Sequence, residues 1–202
     1  MRTFCLSLLL LAGASAATAQ NASVLSPTQQ KLSAAYAALL QQPGDTTRQR
    51  AFFDAFPRSF FELEVLFGYH PELIPANLYT EGLNYSMAFW TRLPAVPLDQ
   101  RADRLIDLLT GGEWEADMPS YLKSELKAFA DKQPLALFRL LSRRPLPVQR
   151  LFWQCYWQNP DKNPWMATAL SHYKKAAARK YPRETAVMES AYREFAGTIG
   201  GR

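Results

Sequence analysis

Four glutamates fall within one aromatic-rich stretch of the chain: Glu62, Glu64, Glu72 and Glu81, between Phe60 and Trp90. Two carboxylates held about 5 to 10 Å apart across a cleft can cleave a glycosidic bond, one as acid and the other as base or nucleophile. The spacing here argues against that pairing. Glu62 and Glu64 are two positions apart and would leave a helix in different directions. Glu62 also follows Ser59 at the spacing of a capping box, which gives it a local task. The acids fit a solvated rim around a core of rings better than a paired site. A cell-envelope hydrolase of glycosidase type, using carboxylates of this region, is the alternative reading.

Other catalytic chemistries find less support. Cys155 and His172 offer a thiol and an imidazole, but Phe152, Trp153, Tyr156 and Trp157 surround the cysteine. That setting suits a small buried hydrophobe, not a polar, partly open thiolate. The chain has no Gly-x-Ser-x-Gly nucleophile elbow. His70 with Glu72 could hold zinc only if distant residues joined them, and neither a His-x-x-x-His pair nor a Cys-x-x-Cys is present. His70, before Pro71, fits a turn; His172 fits a packed, hydrogen-bonded ring. No metal and no cofactor is expected.

The feature best suited to binding is aromatic. Trp153 and Trp157 are one helical turn apart, and Trp165 follows. If Val148, Leu151, Phe152, Cys155 and Tyr156 face the core, both tryptophans need a second cover. Another helix supplying it is the plainer outcome. Otherwise they form an exposed anchor patch of the kind found in protein interfaces, rimmed by Lys162, Lys174, Lys175 and Arg179. Trp153, Trp157, Trp165, Lys174, Lys175 and Arg179 are therefore the candidate binding residues. Asp99, Asp103 and Asp107 recur at four-residue intervals. They read as a solvated helix face, or as a line meeting a partner's basic patch, with Arg101 and Arg104 near enough to relieve their repulsion.

Residues 1–19 read as a secretory signal peptide. Arg2 gives the positive start, Phe4 to Ala12 the apolar run, and Ala17-Thr18-Ala19 the small-residue cleavage site, so the mature chain begins at Gln20. The run is shorter than the roughly 20 residues a bilayer span needs. Cys5 lies inside it and not after the cut, which argues against a lipid anchor. Export to periplasm or medium is the expectation. Cleavage then leaves Cys155 as the lone cysteine, so no internal disulfide forms.

The formal net charge is +5, unevenly spread. Asp45 to Asp117 holds six basic and twelve acidic residues, and Met118 to Arg202 fifteen basic and six acidic. The simplest consequence is attraction between the two halves within the fold. Export and modest charge disfavour nucleic acid. The alanine-rich apolar side of Asn163 to Tyr181 disfavours stable membrane insertion.

Helical periodicity runs throughout, with proline and glycine between the stripes. Ser26-Pro27 opens a helix burying Leu32, Tyr36, Leu39 and Leu40. Asp45 caps a second with Phe52, Phe53 and Phe56 inward. Ser59 starts a third with Phe61, Val65 and Leu66 inward, closed by Gly68 in a left-handed conformation. A longer helix is expected from Ala76 to Leu93, burying Leu83, Met87 and Trp90. Leu98 to Thr110 buries Ala102, Leu105, Ile106 and Leu109. Five further helices are expected: Asp117 to Asp131, from Pro134, Val148 to Gln158, from Pro164, and from beyond Pro182 to Gly197. The fold class is all-α, a single compact irregular bundle of about ten short-to-medium helices over residues 20–202.

Three segments carry a resemblance: Phe52-Phe53-Asp54-Ala55-Phe56-Pro57, Leu66-Phe67-Gly68-Tyr69 and Gly112-Glu113-Trp114-Glu115-Ala116-Asp117. With Phe152-Trp153 and Asn159-Pro160, this region resembles uncharacterised exported helical proteins of bacteria. The resemblance implies an all-helical exported domain and brings no activity or catalytic residue. The functional expectation is an exported, soluble, non-catalytic protein that binds another macromolecule, as an inhibitor, immunity or envelope interaction protein does. A structural or assembly factor of the envelope is a further alternative.

Overall fold

The structure, a computed structural model, describes residues 26–69, 78–112, 117–158 and 165–200. The signal-peptide region, His70, Glu72 and Lys162 lie outside them. The described residues form ten α-helices and no strand: α1 Pro27–Gln41, α2 Thr46–Ala55, α3 Phe60–Phe67, α4 Gly82–Thr91, α5 Leu98–Leu109, α6 Asp117–Lys132, α7 Pro134–Leu141, α8 Leu146–Trp157, α9 Trp165–Ala177 and α10 Pro182–Gly200. A 3-10 turn, Tyr79–Glu81, leads into α4.

Local chemistry sets the helix starts. Ser26 Oγ accepts the Gln29 N–H at 3.3 Å while Gln29 Oε1 accepts the Ser26 N–H at 2.7 Å, a reciprocal capping box. Asp45 Oδ1 accepts the N–H groups of Thr47 and Arg48 at the head of α2. Gly68 is extended, with φ −65° and ψ 151°, so it ends α3 without the expected left-handed turn. The left-handed glycine is Gly111, at φ 76°, where the chain leaves α5.

Two aromatic clusters fill the core. One joins Tyr36, Phe52, Phe53, Phe56, Phe67, Tyr85 and Phe89 from the first four helices. The other joins Phe138, Phe152, Trp153, Tyr156, Trp157 and Tyr173 from α7, α8 and α9. α5 lies between them, touching α3, α6, α7 and α8. Its inner residues Ala102, Leu105, Ile106, Leu108 and Leu109 are fully buried.

Polar groups on α5 tie it to both sides. Arg144, at the end of α7, reaches Asp103 at 2.9 Å and Asp107 at 2.6 Å, and Arg139 reaches Asp99 at 2.5 Å. The aspartate line therefore pairs with arginines of the chain's own basic half. Arg104 adds an electrostatic attraction to Asp107, but the hydrogen bonds of Arg101 and Arg104 lead elsewhere. Both side chains leave the opposite side of α5. Arg104 Nη1 donates to the carbonyls of Phe56 at 3.0 Å and Pro57 at 3.1 Å, past the end of α2. Arg101 donates to the Trp90 carbonyl near the end of α4.

Several inward faces differ from expectation. Leu40, Phe61, Val65, Leu83, Met87 and Leu151 are exposed. α3 buries Leu63, Leu66 and Phe67 instead, and α4 buries Tyr85, Ala88 and Phe89. Both helices are turned so that a better-populated apolar face meets the core.

The Arg144 side chain is only 12% exposed and bridges two aspartates. Removing it leaves two aspartates one turn apart uncompensated and takes a donor from the carbonyls of Leu140 and Asp103. Arg144→Ala is expected to lower unfolding free energy by about 2 kcal/mol in urea titration. Arg139→Ala, at a solvent-exposed pair, is expected to cost far less.

Candidate contact surface

The tryptophans expected as an exposed anchor are covered. Trp153 and Trp157 are fully buried, stacked with ring centroids 5.5 Å apart. Phe138 of α7 lies 5.8 Å from Trp153, and Tyr192 of α10 lies 5.3 Å from Trp157. The second cover is thus supplied by neighbouring helices, and the proposed anchor patch does not form. Trp165 is half-buried, with Lys127 Nζ 5.0 Å from its ring centre. Of the expected rim, Lys174 pairs with Glu189 at 2.9 Å, while Lys175 on α9 and Arg179 in the turn after it are exposed.

From the buried tyrosines a polar chain runs out to the surface. The hydroxyls of Tyr156 and Tyr173 are 2.9 Å apart, Tyr173 donates to Asp131 Oδ1 at 2.7 Å, and Asp131 Oδ2 pairs with Lys127 at 2.5 Å. It gives each buried phenol a hydrogen bond, as burial requires. Burial pushes both tyrosine hydroxyls well above their ordinary range. The Cys155 thiol is likewise pushed up by burial, which keeps it protonated and unreactive. His172 is exposed, its Nε2 bonded to the Asp131 carbonyl at 3.1 Å; hydrogen-bonded as expected, it is not packed inside.

Lys123 is 5% exposed. Its ammonium donates to the carbonyls of Cys155 at 3.0 Å and Gln158 at 2.5 Å, closing the C-terminal end of α8. Burial pushes this amine down to about 8.

The glutamates are separated. Glu62 Oε2 accepts the Arg58 N–H at 2.7 Å, one residue earlier than a standard capping box. Ser59 Oγ accepts the Glu62 N–H at 3.2 Å. Glu64 is half-buried on the other flank of α3, and Glu81 is exposed at the end of the 3-10 turn. Among the described residues no group of three or more His, Cys, Asp or Glu side chains is placed to hold a metal ion.

What α3 does present is an apolar face. Phe61 is 76% exposed, Val65 47% and Tyr69, just past the helix, 59%. At 3.6 residues per turn, Phe61 and Val65 share one face, with Glu62 along one edge and Glu64 along the other. The opposite face is held by Leu63, Leu66 and Phe67, and by Phe60, whose ring packs against Gly112. A Cβ at Gly112 would lie 2.5 Å from that ring. The Tyr69 ring meets Tyr79 at 5.1 Å, and the Leu78 N–H bonds the Leu66 carbonyl at 2.9 Å, so the stripe leads on to the turn bearing Glu81. On α4, Leu83 and Met87 are also exposed one turn apart.

The sequence held a signal for this face. The two glutamates divide α3 into a side with four apolar residues and a side with two. The larger side goes inward. α4 has no charged residue between Gly82 and Thr91, so it offers no such guide.

Comparison with protein-family models, curated proteins and solved structures gave no match.

Burial of Lys123 makes a pH prediction. Above about pH 8 the folded chain releases a proton that the unfolded chain keeps until about 10.5. The unfolded state then binds more protons, so this group's contribution to stability rises with pH across that window. The raised tyrosines act in the opposite sense above pH 10. Urea midpoints of wild type and Lys123→Met, compared from pH 7.5 to 10, should separate by about 1 to 3 kcal/mol in the direction of a rise lost from the variant. Parallel profiles would contradict the burial argument.

Proposed function

We propose that this chain is an exported, non-catalytic helical protein that acts by binding another protein, and that the outer face of α3 is its contact surface. The observation that carries this reading is the exposed stripe of Phe61, Val65 and Tyr69. Single exposed apolar residues are ordinary on protein surfaces, but an aligned set with a polar rim is the pattern of an interface. Its charged edges are Glu62 and Glu64 on α3, with Glu81 on the neighbouring 3-10 turn. The complementary occupant is an amphipathic, positively charged segment of a partner protein, an apolar face on the stripe and lysine or arginine on the carboxylates. Inhibitor and immunity proteins work by occupying a target in this way. Export is supported by residues 1–19, with Arg2, the apolar run and the small-residue cleavage site.

The hydrolase alternative is weaker. Glu62 accepts the Arg58 N–H, and Glu62 and Glu64 leave opposite flanks of α3.

Phe61→Asp tests the reading. Phe61 is exposed, so the variant should keep its circular dichroism and unfold within about 0.5 kcal/mol of wild type. Mature wild type and variant are coupled to resin and exposed to the same envelope extract. The expected result is a basic protein retained by wild type, released by salt and not retained by Phe61→Asp. Recovery of the same proteins by both, or of none by wild type, would remove the α3 surface.

A further inference from the structure

A second surface, built from different helices, has the makings of a small-molecule site. Beside the N-terminal ends of α8 and α10 lies an open cavity of about 720 Å³. That volume falls within the roughly 300 to 1,000 Å³ of small-molecule sites. Leu146 and Pro147 of α8 form one wall, Ala186 and Val187 of α10 the other. Arg183, Ala186, Val187 and Ser190 recur at the spacing of a single helical face, so one side of α10 lines the cavity along its length.

The charged lining residues are Arg150 and Arg183, both basic. They differ in state. Arg150 is neutralised by Glu194 at 2.8 Å. Arg183 is exposed and makes no ion pair with any described residue. The cavity therefore combines two apolar walls with one guanidinium that no described carboxylate pairs. Its complement is an apolar chain ending in one anion. A guanidinium fork matches a carboxylate with two parallel hydrogen bonds.

We propose that this groove binds a medium-chain fatty acid, its carboxylate on Arg183 and its chain along Leu146, Pro147, Ala186 and Val187. The site shares no residue with the α3 surface, so either can fail without the other.

Titration calorimetry of the mature protein with dodecanoate, below its micelle concentration, tests the proposal. Dodecyltrimethylammonium and butyrate serve as probes of charge and chain length. Arg183→Gln and Ala186→Glu, at exposed positions, serve as variants whose folding is checked by circular dichroism. Saturable one-to-one binding of dodecanoate is expected. Arg183→Gln should weaken it about tenfold or more, the loss of a charge-assisted pair, and Ala186→Glu should weaken it further. The cationic amphiphile and butyrate should each bind at least about tenfold more weakly. Three results would overturn the proposal: no binding of dodecanoate at submillimolar concentration, equal binding of anionic and cationic chains, or undiminished binding by a folded Arg183→Gln. Concentration-dependent dimerisation blocked by Ala186→Glu would also overturn it, assigning the groove to a second copy of the chain.

Discussion

The division of charge on α5 is the constraint around which the rest is arranged. One edge carries Asp99, Asp103 and Asp107, met by Arg139 of α7 and by Arg144 in the turn that follows it. The other carries Arg101 and Arg104, which meet backbone carbonyls of Trp90, Phe56 and Pro57. Between the edges, a fully apolar face enters the core. Each edge satisfies groups that would otherwise be stranded: carboxylates at four-residue spacing on one side, carbonyls beyond helix ends on the other. Three rows on one helix thus specify which neighbour goes where. Hydrophobic burial supplies the bulk of the driving force, but it is non-directional. The arginines and aspartates give it direction.

The charge asymmetry along the chain acquires a physical meaning from this arrangement. The acidic first half and basic second half meet at α5 and α7, so part of each excess is spent inside the molecule. Lys174 with Glu189, and Arg150 with Glu194, pair basic residues further along the same half. What remains basic on the surface includes Lys175, Arg179, Lys180 and Arg183, all exposed and gathered where α9 gives way to α10.

Legibility from sequence tracked how one-sided each helix is. α5 has charged residues on two edges and aliphatic ones between them, and all its inner residues but Leu108 are legible in the sequence. So are the caps at Ser26 and Asp45, where a side-chain oxygen has one local use. α3, α4 and α8 are apolar around most of their circumference, and there the 3.6-residue period admits more than one inward face. The choice among those faces is made by tertiary packing: by Gly112 leaving room for Phe60, by Met118 and Phe67 meeting at Gly82, by Tyr192 closing over Trp157. None of those contacts is local in sequence. The same ambiguity misassigned the candidate site. Trp153 and Trp157 looked surplus to the core because Leu151 had been given an inward place that the fold gives to them.

That exchange bears on why the α3 stripe is informative. Core tryptophans are explained by the core: they fill volume, stack on neighbours and need no partner outside the chain. Phe61 has no such explanation. Its ring is mostly in water, and the helix beneath it is held by Leu63, Leu66, Phe67 and Phe60. An exposed helical position accepts polar residues at little cost, so folding places no demand for an aromatic ring there. Two apolar side chains sharing one face between two carboxylates are costly to solubility and idle for stability. On the reading proposed above, contact with an apolar and positively charged partner would give both properties a use.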